Sequence, residues 1–293
     1  MLTLLSVFAN LLIALIVFIV SRLKMNTGKI WSIAFTLTLA NWGFILALKW
    51  LIPVEIVLSE WFPIGEIFQR NLLFQINPAN WPILFSLAAI QFAVIATDSA
   101  RLNEIPTPMI WAGLIFAFSA GFLASIASSI ISIILIWVFV DLIELIIFIG
   151  AGLDEGNINE IIVSFAIKIL GTNLLIFALI SSYHQGTPLR IDEVVNRIGY
   201  LLLASVGLRL GVIPFNLPFL SSSPIRRGLG NSIRMVNVAT SIVLLLRYPI
   251  GELDVGVKSV LLFFTVIGVV FGAVMWFSSN NELEGRPYFI ISM

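Results

Sequence analysis

The chain has 293 residues, 59% of them hydrophobic and 11% charged, and its mean hydropathy is +1.07. With 16 basic and 16 acidic residues it offers no basic face to a polyanion, so nucleic acid is excluded as a partner. It has no cysteine and a single histidine, His184, which excludes disulfides, thiolate zinc sites, Cys-ligated iron–sulfur clusters and a Cys nucleophile within the chain.

Apolar runs of about 20 residues, each enough to cross the hydrocarbon core of a bilayer, recur with little between them. The expectation is an all-α, polytopic transmembrane helical bundle forming a single domain over 1–293. Nine spans are expected at about 2–20, 31–52, 81–97, 107–126, 128–150, 160–183, 195–213, 229–247 and 257–278. The first run has no positive segment before it and reads as a retained span, not a cleaved signal. Arg22, Lys24 and Lys29 crowd the loop after it, whereas the next loop is net acidic, so the positive-inside rule puts the N-terminus outside. That next connection, 53–80, is the only long one, and its strand-like pieces between Pro53 and Pro78 predict a small extramembrane hairpin between spans two and three. Asp98, Arg101 and Glu104 read as an interfacial loop. Asp154, Glu155 and Glu160 read as a solvated turn, with Glu160 favouring the following helix N-terminus. His184 reads as a solvated loop residue.

Charges at membrane depth are the informative residues. Lys49, Asp141, Glu144, Lys168, Arg209 and Arg234 fall within the expected spans or at their ends. Each central one costs roughly 2.5–3.5 kcal/mol to insert, so they are expected to face one another or internal water. Asp141 and Glu144 stand three apart in an otherwise apolar run and share a helical face. Two carboxylates there require a cation, and Lys168 on the next helix is the natural candidate. Desolvation disfavours the charged form of both kinds of group, so such a set suits a proton relay; a structural ion-pair network is the alternative. Further on, Pro214 and Pro218 follow Arg209 and two glycines, enough to break a helix near Pro214. Exposed backbone of that kind is tolerated where protein or a water-filled cavity satisfies it, although an ordinary helix end at Pro214 fits the local residues equally well.

The order of these features resembles the antiporter-like subunits of complex I, of membrane-bound hydrogenases and of Mrp-type sodium/proton antiporters. Trp61-Phe62-Pro63-Ile64-Gly65 and Phe74-Gln75-Ile76-Asn77-Pro78 are similar to the hairpin between that family's second and third spans. Phe139-Val140-Asp141-Leu142-Ile143-Glu144-Leu145 resembles its Phe-Trp-Glu-Leu-Met-Ser-Leu stretch, which sets Asp141 on the fifth-helix glutamate. Arg209 through Asn216 resembles Lys-x-x-x-x-Pro-Phe-His, which sets Arg209 on the seventh-helix lysine and Asn216 on the histidine. Asn281 through Phe289 is similar to the stretch that opens the tenth helix.

The resemblance covers the whole chain and is carried by order and spacing more than by identity. It implies N-terminal spans and hairpin over 1–97, a first five-helix repeat over 107–247, and over 257–293 the start of an incomplete second repeat. The rest of that repeat is expected to be absent or on another polypeptide. It further implies a proton half-channel through Asp141, Glu144, Lys168, Arg209 and Arg234, in the membrane arm of a proton- or sodium-translocating redox complex of the prokaryotic cytoplasmic membrane. Flavin, iron–sulfur or nickel–iron centres and quinone would then belong to partner subunits. Two departures bear on that role. Ser164 stands near the sixth-helix lysine position, with Lys168 one turn later, and Arg209 replaces a lysine with a guanidinium that stays protonated. A degenerate, non-translocating subunit that stabilises such a complex is the alternative. No phosphate loop, nucleophile–base pair or cofactor fingerprint marks an independent enzyme.

Overall fold

The computed structural model describes residues 2–23, 25–58, 72–101, 108–150, 155–185, 196–211, 227–247, 254–280, 285 and 288. Among them, in chain order, are α1 (Leu2–Arg22), α2 (Thr27–Ala47), β1 (Val54–Leu58), β2 (Leu72–Ile76), α3 (Trp81–Thr97), α4 (Pro108–Ile126), α5 (Ile130–Gly150), α6 (Glu155–His184), α7 (Asn196–Leu210), α8 (Arg227–Arg247) and α9 (Val255–Ser278). Every expected span has its helix, and the expected hairpin is the β1–β2 pair. Helices α1, α2, α4, α5, α6 and α9 are long and apolar enough to cross a membrane, while α3 and parts of α7 and α8 are shorter apolar helices.

Local chemistry sets the helix ends. The second span was expected at 31–52 but begins at Thr27, because Asn26 Oδ1 accepts the Gly28 N–H at 2.9 Å and caps the helix. It closes in a 3₁₀ turn over Leu48–Trp50, ahead of Pro53 and β1. Lys49 lies in that closing turn, at the end of the span, and is exposed, with Nζ 5.4 Å from the centre of the Trp81 ring. Helix α7 stops at Leu210, where Gly211 adopts φ 76°, a left-handed conformation that suits glycine after a helix. The expected break at Pro214 and Pro218 lies outside the described residues. His184 is the exposed last residue of α6, so it ends a helix instead of sitting in a loop, because the apolar run of α6 carries helix to that point.

The chain divides into two compact units. One comprises Met1–Glu60, Asn71–Val140 and Arg227–Val243. Here α1 packs on α2 and α4, and α3 packs on the same two helices, so four helices form a ring around a core that includes Trp111, Phe118 and Phe122. Strands β1 and β2 pair antiparallel with Val54 opposite Ile76, and alternation along β2 buries Phe74 and Ile76 on one face. Asn80 ties this hairpin to the helices: its Nδ2 donates to Gln75 O at 2.7 Å and to Ser125 O at 3.0 Å, and its Oδ1 accepts the Asn77 N–H at 2.7 Å. In the same unit Trp137 Nε1 donates to Thr240 O at 3.2 Å, joining α5 to α8.

The other unit comprises Trp61–Arg70, Asp141–Arg226 and Leu244–Met293. Helix α6 lies along α7, which also touches α9. The α6–α7 approach is close because Gly171 has no side chain: an added Cβ would stand 2.9 Å from both Arg209 Cγ and Ser205 O. Ser205 Oγ donates to Gly171 O at 2.6 Å across the same contact.

Candidate functional site

Three consecutive helices of the second unit bring four ionisable side chains together. Helix α5 supplies Asp141 and Glu144, one turn apart on one face, α6 supplies Lys168, and α7 supplies Arg209 in its last turn. All are buried, with exposures of 1% for Asp141, 7% for Glu144, 5% for Lys168 and 2% for Arg209.

They form two ion pairs. Lys168 Nζ donates to Glu144 Oε2 at 2.7 Å. Arg209 Nη1 donates to Asp141 Oδ2 at 2.6 Å while Nη2 donates to Oδ1 at 2.9 Å, a bidentate fork that fixes the carboxylate plane. Lys168, the cation expected for the two carboxylates, meets Glu144, and Asp141 is taken by Arg209. The i, i+3 offset presents Asp141 and Glu144 to different neighbours, and the planar guanidinium takes the deeper one. The two pairs are linked through α6: Arg209 Nη1 also donates to Thr172 Oγ1 at 3.0 Å and to Lys168 O at 3.4 Å, and Thr172 Oγ1 itself donates to Lys168 O at 3.1 Å.

The arrangement has no net charge when all four groups are ionised, which offsets the cost of burying them. Its two halves differ chemically. The planar guanidinium of Arg209 holds Asp141 through two hydrogen bonds, whereas the ammonium of Lys168 and the carboxylate of Glu144 meet through one. Among the described residues no three His, Cys, Asp or Glu side chains gather as a metal site.

Of the residues singled out by sequence, Asp141, Glu144, Lys168 and Arg209 meet. Arg234 lies on α8 with its side chain outside the described set, as are Pro214, Pro218 and Asn216. Sequence reasoning missed Thr172, Ser205 and Gly171. Thr172 stands one turn after Lys168 and Ser205 one turn before Arg209, so the spacing of small polar residues from the two cations was the available signal. It also missed a neutral polar cluster in the first unit, where Asn10, Asn41, Gln91 and Ser119 are all buried.

Comparison by sequence finds no matching family profile and no matching curated relative. Comparison by structure does find matches. A chain of the Mrp complex from Dietzia sp. DQ12-45-1b superposes with a TM-score of 0.78 at 19% identity, over 100% of this chain and 33% of that one. The fold is shared with that chain of the Mrp complex. A chain of the membrane-bound sulfane sulfur reductase, an archaeal respiratory membrane complex, superposes with a TM-score of 0.71 at 13% identity, over 97% of this chain and 49% of that one. This chain therefore spans about a third of the first of these chains and about half of the second.

Proposed function

We propose that this chain is a membrane-arm subunit of a proton- or sodium-translocating redox complex of the NADH-quinone oxidoreductase type, and that its second unit supplies a proton half-channel. The observation that carries this reading is the burial of four charge-balanced ionisable side chains on three consecutive helices, since ionisable groups at membrane depth usually mark an ion path. Membership of multi-subunit membrane complexes by the two structural neighbours supports it.

In this mechanism the Asp141–Arg209 pair stays fixed and holds the local field. A proton reaching Glu144 neutralises the partner of Lys168, leaving an unpaired buried ammonium that gives up its own proton toward the far side. Arg234 on α8 is assigned to the same path on sequence grounds, and redox groups belong to partner subunits. The N-terminus faces outward across a prokaryotic cytoplasmic membrane. The test is proton translocation by the purified complex in vesicles: Glu144→Gln and Lys168→Gln should each lower the protons moved per electron while the complex still assembles. Unchanged pumping in both removes the relay from this chain.

A structural role is the second reading, favoured by the complete internal pairing of both cations and the fixed charge of Arg209. Deleting the chain separates the two. A complex that falls apart without it supports the structural role, and a lowered proton-to-electron ratio in a complex otherwise intact argues against one.

A further inference from the structure

The four-helix ring of the first unit contains a second polar site, independent of the ion pairs. Each helix contributes one buried polar residue to it: Asn10 from α1, Asn41 from α2, Gln91 from α3 and Ser119 from α4. Asn10 is the hub. Its Nδ2 donates to Ile115 O at 2.9 Å and to Ser119 Oγ at 3.0 Å, and its Oδ1 accepts from Gln91 Nε2 at 2.9 Å and Asn41 Nδ2 at 3.2 Å.

Both outer amides spend a nitrogen on Asn10, and this leaves their carbonyl oxygens over. Asn41 Oδ1 and Gln91 Oε1 are buried with no hydrogen-bond partner among the described residues. Turning either amide over does not cure this, because it orphans the amino group instead and gives up the bond to Asn10. Two more oxygens share the condition, Ser6 Oγ and Thr3 Oγ1, both on fully buried residues. Thr3, Ser6 and Asn10 follow at i, i+3 and i+7, one face of α1, over about 10 Å of helix axis. Helix α1 touches β1 and β2, and because α2 runs back along α1 and leads into β1, the N-terminal end of α1 is the one beside the hairpin. Beyond Asn10 the buried face of α1 continues as Ile13, Ala14 and Val17, which offer nothing polar.

Buried oxygens without partners are rare in folded proteins, and ordered water is the usual partner that satisfies such groups. A cation is disfavoured: no carboxylate stands among these residues to balance it. We propose that the first unit binds a short file of water molecules, running from the hairpin end of α1 past Thr3 and Ser6 and ending blind at the amides of Asn41 and Gln91. The site brings water, not charge, to the middle of α1.

The test is electron cryomicroscopy of the chain in its native assembly, at a resolution that shows ordered solvent. Density peaks at hydrogen-bonding distance from Asn41 Oδ1, Gln91 Oε1, Ser6 Oγ and Thr3 Oγ1 are expected. A map that resolves water elsewhere in the membrane arm but none at these four atoms overturns the proposal. In the same assembly, X-ray hydroxyl-radical labelling of buried Ile115 should fall several-fold in Asn41→Leu/Gln91→Leu, and unchanged labelling counts against it. If that variant fails to assemble, the density test still decides.

Discussion

Arg209 grips Asp141 with both arms of its guanidinium, at 2.6 Å and 2.9 Å, where neither side chain is more than 2% exposed. Such a pair contributes little over an apolar equivalent, but breaking it is costly because the survivor is left charged and buried. Asp141→Asn and Arg209→Gln are each expected to destabilise the subunit by ~3–5 kcal/mol. The double variant should lose less than the sum, because it strands no charge. Denaturant or thermal unfolding of the four proteins of this cycle gives the coupling. Strictly additive losses would show that the two side chains do not interact.

Lys168 poses a different question, because its pair with Glu144 is a single hydrogen bond. Lys168→Arg retains the positive charge but not the ability to release a proton. The expected outcome is normal assembly with translocation abolished. Translocation at the original rate in this variant would make Lys168 a fixed charge and move the relay elsewhere.

Much of this fold is legible in the sequence because hydrocarbon demands long apolar helices: every described α-helix coincides with an expected span, and the hairpin of Val54–Leu58 with Leu72–Ile76 was signalled by strand-like pieces in the long 53–80 connection. The charged residues of the site were legible for the same reason, since Asp141, Glu144, Lys168 and Arg209 stand out against apolar neighbours. Who pairs with whom was not. The preference of Asp141 for Arg209 over Lys168 depends on how far α6 and α7 approach, and that distance is set by Gly171, a residue with no signal of its own. The neutral cluster around Asn10 escaped because amides raise no alarm on a charge count, although burial makes them almost as demanding.

Gly171 is accordingly a sensitive position. A methyl group there would meet Arg209 Cγ and the backbone oxygen of Ser205 at 2.9 Å, and the backbone cannot yield as a side-chain tip can. Gly171→Ala is expected to cost about 1–3 kcal/mol by overpacking and to loosen the Arg209 fork. A lowered melting temperature together with reduced translocation checks this. Neither changing would indicate that α6 and α7 separate without consequence for Arg209. Ser205→Ala, which removes only the 2.6 Å bond to Gly171 O, should have a smaller effect of ~1 kcal/mol.

Asn80 tests whether the hairpin is held by this one side chain. It donates twice, to Gln75 O on β2 and to Ser125 O near the end of α4, and accepts once, from Asn77 N–H. Asn80→Ala removes all three bonds, and at ~0.5–1.5 kcal/mol each the loss should be about 2–4 kcal/mol. Asn80→Asp separates the contributions. A carboxylate keeps the acceptor for Asn77 but faces two carbonyl oxygens where an amino group stood, so it loses both donated bonds and adds repulsion. The expected order of stability is therefore wild type, then alanine, then aspartate, read from melting temperature and from the rate of proteolysis at the hairpin. If aspartate is more stable than alanine, the accepted bond dominates and the two donated ones contribute little.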